Sequence, residues 1–329
     1  MERETENAVR REALVTLQSH ILAEEERAPV ETTGTLSWIM SAISISAKII
    51  ASHLRRARLE DVLGEAGEEN VQGEKQQKLD VIANETLIAI LRGRSGVAAI
   101  GSEEDEELIL VDSTGRRGLR RYAVLFDPLD GSSNIDIGGS TGTIFSILRV
   151  DENTPALQPG TAQVAAGYVL YGSSTIMVSS TGNGVSMFVL DPNVGAFMRV
   201  AEHLRIPDRG KSYSVNEANA DSFPPQYARF LTRCRQAGYS SRYVGAMVAD
   251  VHRVLLQGGV FLYPPTAKAP AGKLRLMYEC NPLAFLITQA GGMATTGEGD
   301  ILSVPPTELH QRVPIVLGSP EDVKAFLDS

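Results

Sequence analysis

Phe126-Asp127-Pro128-Leu129-Asp130-Gly131-Ser132-Ser133-Asn134 decides how the rest of the chain is read. Two carboxylates flank a Pro-Leu pair, and a Gly-Ser-Ser turn follows at once. Upstream, Tyr122-Ala123-Val124-Leu125-Phe126 is an unbroken apolar run of the kind that forms a buried strand. Downstream, Thr143-Ile144-Phe145-Ser146-Ile147-Leu148 predicts a second strand. The acids therefore fall where a strand ends and the chain turns. Such a place can hold hard cations on carboxylate oxygens and turn backbone N–H groups toward an anion. A combined metal and phosphate site is the first expectation.

Working outward, 329 residues suffice for two domains. Hydrophobic residues make up 43% and charged residues 22%, a globular balance. The net charge of −9 argues against a nucleic-acid backbone as partner. No apolar run reads as a bilayer span, and the charged start Met1-Glu2-Arg3-Glu4-Thr5-Glu6 lacks a signal-peptide core. Cys234 and Cys280 are the two cysteines, which argues against a disulfide framework, leaves room for one disulfide at most and suits a reducing cytosol.

Residues 1–30 predict a short helix or arm. Leu36, Ile39, Met40, Ile43, Ala47 and Ile50 then recur at helical spacing after Thr32-Thr33-Gly34-Thr35. That start reads either as a capped core helix or as an anion site at a helix N-terminus. Residues 61–78 are polar and predict a mobile loop. A helix follows through Leu79, Ile82, Ala83, Thr86 and Ile90. Val97 to Ile100 predicts a buried strand ending in the acidic run that begins at Glu103-Glu104. Residues 161–200 predict meandering strands, and Ile206 to Lys211 marks a domain boundary. In the second half, Pro225–Gln236 predicts a helix and Val260–Tyr263 a strand. Lys273 to Glu279 alternates as a strand would, and Asn281-Pro282 opens a helix closed by Gly291-Gly292.

Glu103, Glu104, Asp127, Asp130 and Glu279 are thus each expected at the C-terminal end of a strand. All-oxygen ligands select Mg²⁺ or Mn²⁺ rather than zinc. Metal ions beside N–H donors suit hydrolysis of a phosphate ester, activating water and neutralising charge on the transferring group. A further carboxylate could take the proton.

The Asp-Pro-Leu-Asp-Gly-Ser unit resembles the signature of the lithium-sensitive, metal-dependent sugar and inositol phosphatases. Gly272-Lys273-Leu274-Arg275-Leu276-Met277-Tyr278-Glu279-Cys280-Asn281-Pro282 narrows this. It resembles the active-site signature of class I fructose-1,6-bisphosphatases, as do Arg242 to Arg253 and Ala165-Ala166-Gly167-Tyr168. The resemblance runs from about Thr33 to near the C-terminus. It implies a layered α/β/α/β/α fold, with a regulatory domain over residues 1–202 and a sugar-bisphosphate domain over 203–329. The implied reaction is hydrolysis of fructose 1,6-bisphosphate to fructose 6-phosphate, in gluconeogenesis or the Calvin cycle. Alternatives are a dual enzyme that also takes sedoheptulose 1,7-bisphosphate and a non-catalytic AMP-binding homologue. An inositol monophosphatase would leave a second phosphate pocket without purpose.

The resemblance also assigns roles. Glu103, Asp127, Asp130, Glu279 and the Leu129 carbonyl would bind two or three Mg²⁺ (or Mn²⁺) ions per subunit. Glu104 would deprotonate the attacking water with Glu74, one methylene longer than the family's aspartate, and Asp80 would help hold the closed loop. Gly131, Ser132 and Ser133 would meet the 1-phosphate. Asn216, Tyr243, Tyr263 and Lys273 would hold the 6-phosphate, with Arg275 beside the sugar. Arg242 would reach a neighbouring subunit's pocket, which implies a homotetramer. Asn219 stands where the family usually has a tyrosine. Thr33, Gly34, Ser37, Arg121, Tyr122 and Arg149 match an AMP pocket, although Thr35 replaces its glutamate. The plastid form's cysteine-bearing insertion between Asp151 and Gly160 is absent from the sequence.

Overall fold

The computed structural model describes residues 15–27, 35–60, 62–69, 75–111, 121–151 and 155–329. Helix α1 is Leu17–Arg27 and α2 is Thr35–Arg56. The hairpin β1 (Glu65–Glu69) and β2 (Lys75–Gln77) leads into α3 (Lys78–Arg92). The sequence had predicted a loop here. Apart from Ala66 and Gly67 these strands are polar, so their backbone pairing rather than apolar alternation makes them strands.

Next come β3 (Val97–Ser102), β4 (Ile109–Leu110), β5 (Arg121–Asp130), β6 (Thr141–Val150), β7 (Gln163–Tyr171), β8 (Thr175–Ser180), β9 (Ser186–Asp191) and β10 (Ala196–Ala201). They form one sheet in the order β10-β9-β8-β7-β6-β5-β3-β4, antiparallel except for β3 beside β5. That parallel pair is what brings the ends of β3 and β5 to the same edge. β5 is buried from Tyr122 to Leu129 because both faces of the sheet are covered, which is why its sequence runs apolar instead of alternating.

The second half contains β11 (Ser212–Ser214), α4 (Pro225–Gln236), β12 (Ser240–Ser241), α5 (Met247–Gln257), β13 (Val260–Tyr263), β14 (Leu274–Arg275), α6 (Asn281–Gln289), β15 (Met293–Thr295), β16 (Arg312–Val313), β17 (Ile315–Gly318) and α7 (Pro320–Leu327). A mixed sheet runs β12-β11-β13-β17-β15. Helices α5 and α6 contact strands of both sheets and lie between them. Helices α2 and α3 cover the outer face of the first sheet, and α4 packs with α7 on the second. The order of layers is α/β/α/β/α.

Helix α2 shows why the first layer forms. Ile39, Met40, Ile43, Ala47 and Ile50 fall on one face at 0–2% exposure. Each large side chain so buried is worth about 1.5–3 kcal/mol. By length and composition α2 is also the one described helix able to cross a membrane, a possibility the sequence reading missed. That apolar face is instead packed against α3 and the sheet.

The strand predicted over Lys273–Glu279 is shorter. Only Leu274–Arg275 is strand; Leu276–Cys280 is a π-helical turn that runs directly into α6. Every residue from Leu274 to Cys280 is buried, so the apparent alternation does not mark a solvent-facing side. Glu279 therefore reaches the acids from a helical turn, not from a strand end.

Candidate active site

Six pieces of chain meet at one cavity of about 430 Å³. The end of β3 supplies Glu103 and Glu104. The end of β5 supplies Asp127, Leu129 and Asp130, then Gly131, Ser132 and Ser133. The π-helical turn supplies Glu279, with Lys273 and Arg275 just before it. The second half adds Asn216, Tyr243 and Tyr263. All the expected metal-binding residues and all the expected substrate-binding residues except Arg242 line this one space.

The turn after β5 is tightly specified. Leu129 N donates to Asp127 Oδ1 at 2.9 Å, bending the chain around Pro128. Gly131 has φ 74°, and a Cβ there would lie 2.3 Å from Ala246 Cβ. Only glycine admits that approach. It lets Asp130 meet the first turn of α5, where Met247 N and Val248 N donate to its two oxygens at 3.2 and 2.7 Å. Asn134 Nδ2 donates to Val244 O at 3.3 Å, tying the turn to the segment that carries Tyr243.

Asp127, Asp130 and Glu279 each offer a carboxylate oxygen within 4.8 Å of the others. Glu103 lies beside them, bridged by Arg275 Nη2 at 2.8 Å. Glu279 Oε2 accepts from Arg275 N at 2.6 Å and lies 3.9 Å from Arg275 Nη1. Burial, then repulsion from Glu279, pushes Glu103 up to about 8 against the pull of Arg275. Burial and three neighbouring acids hold Asp127 well above the usual carboxylate range. Burial also raises Asp130 to about 7, despite the Val248 N–H. One guanidinium cannot neutralise four such groups. Convergent hard oxygens with surplus negative charge fit divalent Mg²⁺ or Mn²⁺.

Glu104 stands at the rim, its Oε2 accepting from Gln76 Nε2 at 2.6 Å. Asp80 lies outside the cavity, buried near the start of α3, where it accepts from Gln77 N at 2.8 Å in a capping box. Glu74 falls outside the described residues. Tyr243 is hydrogen-bonded to both Asn216 and Tyr263, which assembles the expected phosphate pocket from three separate segments. Arg242 is exposed, donates to Ser241 O at 3.0 Å and does not line the cavity.

Two family models match the chain: fructose-1-6-bisphosphatase N-terminal domain over residues 15–202, and fructose-1-6-bisphosphatase C-terminal domain over residues 206–328. The chain belongs to the fructose-1,6-bisphosphatase family. Class 1 fructose-1,6-bisphosphatase of Chlorobium chlorochromatii is 48% identical over 323 residues, 94% of this chain and 96% of that one. Its counterpart from Chlorobium luteolum is 48% identical over 326 residues, with the same shares covered. The Leishmania major fructose-1,6-bisphosphatase crystal structures superpose with TM-scores of 0.90 in holo form and 0.85 in apo form, at 39% and 37% identity. The first covers 96% of this chain and 98% of its own, the second 96% and 99%.

Within this fructose-1,6-bisphosphatase framework, sequence reasoning missed Asp250 and Gln76. Asp250 is buried on α5 and accepts from Val244 N at 3.0 and 3.1 Å and from Gly245 N at 3.3 Å. It fixes the loop that carries Tyr243. The only signal was its place in the Arg242–Arg253 motif. Gln76 gave no signal, because its strand lies in a polar stretch that reads as loop.

The described residues of the expected AMP set lie on α2, β5 and β6. Thr33 and Gly34 fall outside the described residues. Tyr122 is buried and lies opposite Arg149 in the β5–β6 register, while Arg121 and Arg149 are exposed. Ser37 is buried in the first turn of α2. There Glu25 of α1, itself 7% exposed, accepts from Leu36 N at 2.9 Å and Ser37 N at 3.3 Å. A carboxylate from the preceding helix thus occupies the N-terminal end of α2.

Proposed function

We propose that this chain hydrolyses the 1-phosphate ester of fructose 1,6-bisphosphate. The observation that carries the reading is that the acid cluster and a phenol–amide–lysine pocket open into one cavity. A cation site and an anion pocket sharing one cavity suit a sugar that carries two phosphates. Asn216, Tyr243, Tyr263 and Lys273 bind the 6-phosphate through hydrogen bonds, the lysine's charge-assisted. Arg275, ion-paired with Glu103, lies beside the sugar. Gly131, Ser132 and Ser133 receive the 1-phosphate.

Glu103, Asp127, Asp130, Glu279 and the Leu129 carbonyl would hold two or three Mg²⁺ or Mn²⁺ ions. When bound, these would polarise the phosphoryl oxygens and lower the pKa of attacking water. Glu104, at the rim, takes the proton from that water, sharing the task with Glu74. Asp80 fixes the start of α3 against the β1–β2 hairpin. The bond between phosphorus and the C1 oxygen breaks as the water attacks, and the departing C1 oxygen, whose charge bound ions would offset, takes up a proton from solvent. Residues 1–202 carry most of the acids and residues 203–329 most of the sugar-phosphate contacts. Arg242, exposed and outside the lining of its own cavity, completes a neighbour's pocket in a homotetramer. The two free, buried cysteines support a reducing cytoplasmic setting.

Phosphate release with Mg²⁺ from fructose 1,6-bisphosphate tests the proposal. Equal turnover of sedoheptulose 1,7-bisphosphate would make it a dual enzyme. No release from either substrate with Mg²⁺ or Mn²⁺ would leave a non-catalytic AMP-binding homologue.

A further inference from the structure

The acid turn Glu103-Glu104-Asp105 belongs to the first half of the chain, whereas Glu279 and Arg275 belong to the second. Something must set their mutual distance. His310 is placed to do so. Its Nε2 lies 3.0 Å from the backbone oxygen of Asp105, one residue past Glu104. A carbonyl oxygen has only lone pairs, so Nε2 carries the proton and donates. The same imidazole packs on Tyr278, the residue before Glu279, with centroids 5.4 Å apart and planes at 42°.

The backbone around His310 is itself registered to the second half's site residues. β16 pairs with β14 so that Arg312 faces Arg275. Leu276 N donates to Gln311 O at 2.7 Å, where the π-helical turn begins. The segment that presents His310 is therefore fixed to Arg275 and Glu279, and its side chain reaches across to the acid turn. On the turn's other side, Asn84 Nδ2 of α3 donates to Asp105 Oδ1 at 3.3 Å. Asp105 is held from both flanks. Within the turn, Glu103 N donates to Phe126 O at 3.1 Å and Glu104 N to Ser102 Oγ at 3.2 Å.

We infer that His310 is a positioning residue: its hydrogen bond to the Asp105 carbonyl, together with its contact on Tyr278, sets Glu104 relative to Glu279. His310 does not line the substrate cavity. It opens instead onto a separate surface hollow with Glu106 and Thr307. Its loss should then slow turnover without weakening substrate binding. A misplacement of about 1 Å at a reacting group can cost about a hundredfold.

The inference rests on the bisphosphatase reading, and two substitutions separate it from that reading. In His310→Gln the amide nitrogen takes the level of Nε2 and keeps the donor. In His310→Asn it stops at the level of Nδ1. In the full-length chain with Mg²⁺ and fructose 1,6-bisphosphate, His310→Gln should keep kcat within about threefold of the parent. His310→Asn should lose about tenfold or more at an unchanged KM. In metal-free protein, the amides of Glu103 to Asp105 should exchange hydrogen faster in His310→Asn than in His310→Gln. Equal kcat and equal exchange in the two variants would overturn the inference, as would a loss confined to KM. If His310→Asn does not fold, His310→Gln decides alone: retained kcat supports the role, and a tenfold loss at the parent's Tm overturns it. The parent's own turnover tests the activity, whereas the ratio between variants and the metal-free exchange test His310.

Discussion

At the residue scale, the acids at the centre differ in what they do. Glu104 sits at the rim, whereas Asp127, Asp130 and Glu279 converge. Glu104→Gln should therefore lower kcat by about 10²–10⁴-fold and leave the Mg²⁺ concentration for half-maximal activity nearly unchanged. A Mg²⁺ requirement that shifts in step with turnover would make Glu104 a metal ligand instead. The converging acids make a second prediction, about pH. Glu103 and Asp130 have ordinary values of 4.5 and 3.8, and in the folded chain without metal they are pushed up to about 8 and about 7. Between those limits the unfolded chain has released protons that the native chain still holds. Native protein then binds more protons, so stability falls as pH rises. This contribution is full below about pH 4 and is lost as pH climbs through the folded values near 7 and 8. After EDTA treatment, Tm should drop between about pH 5 and about pH 8.5, and Mg²⁺ should raise Tm more at the higher pH, where its ligands ionise more readily. Thermal melts at both pH values with and without Mg²⁺ check this, and a Mg²⁺ shift of the same size at both would contradict it.

At the element scale, the turn after β5 joins the sheet to α5. Gly131→Ala would force a side chain onto Ala246 at 2.3 Å and strain a φ of 74°. It should cost about 1–3 kcal/mol in urea unfolding and displace Asp130 from the Met247 and Val248 amides, so activity should fall further than stability accounts for. A variant with full activity would show that α5 yields instead. How much was legible in sequence divides along this same line. β5 and its acids were readable because a strand buried on both faces leaves a continuous apolar run ending in turn residues. Helix α2 was readable because its buried stripe recurs at helical spacing. The hairpin β1–β2 was not, since polar strands carry no periodic signal, and Gln76 was lost with it. Glu279 was assigned to the right cluster on the wrong element. A fully buried π-helical turn mixes charge with apolar residues much as a strand does, and only the pairing of β14 with β16 shows where the strand stops. Asp250 needed three dimensions, because its partners are backbone amides that sequence does not single out.

At the scale of the whole molecule, α1 and α2 raise the question of regulation. We propose an AMP site assembled from the start of α2, Arg121 and Tyr122 of β5, and Arg149 of β6, which lies opposite Tyr122. Through β5 it would connect directly to Asp127 and Asp130, which lie on the same strand. A nucleotide phosphate seeking the first turn of α2 meets Glu25, already accepting from Leu36 N and Ser37 N. Anion and carboxylate want the same amides, so they compete, and α1 must shift for AMP to bind. Glu25→Ala removes the competitor. It should cost about 0.5–2 kcal/mol of helix-start stability while lowering the AMP concentration for half-inhibition. Tyr122→Phe should do the opposite, blunting AMP inhibition with basal turnover kept. Phosphate release against AMP concentration in the parent and both variants measures this directly. If AMP inhibits all three alike, Glu25 is a cap and nothing more, and the strand from Tyr122 to Asp127 carries no regulatory signal.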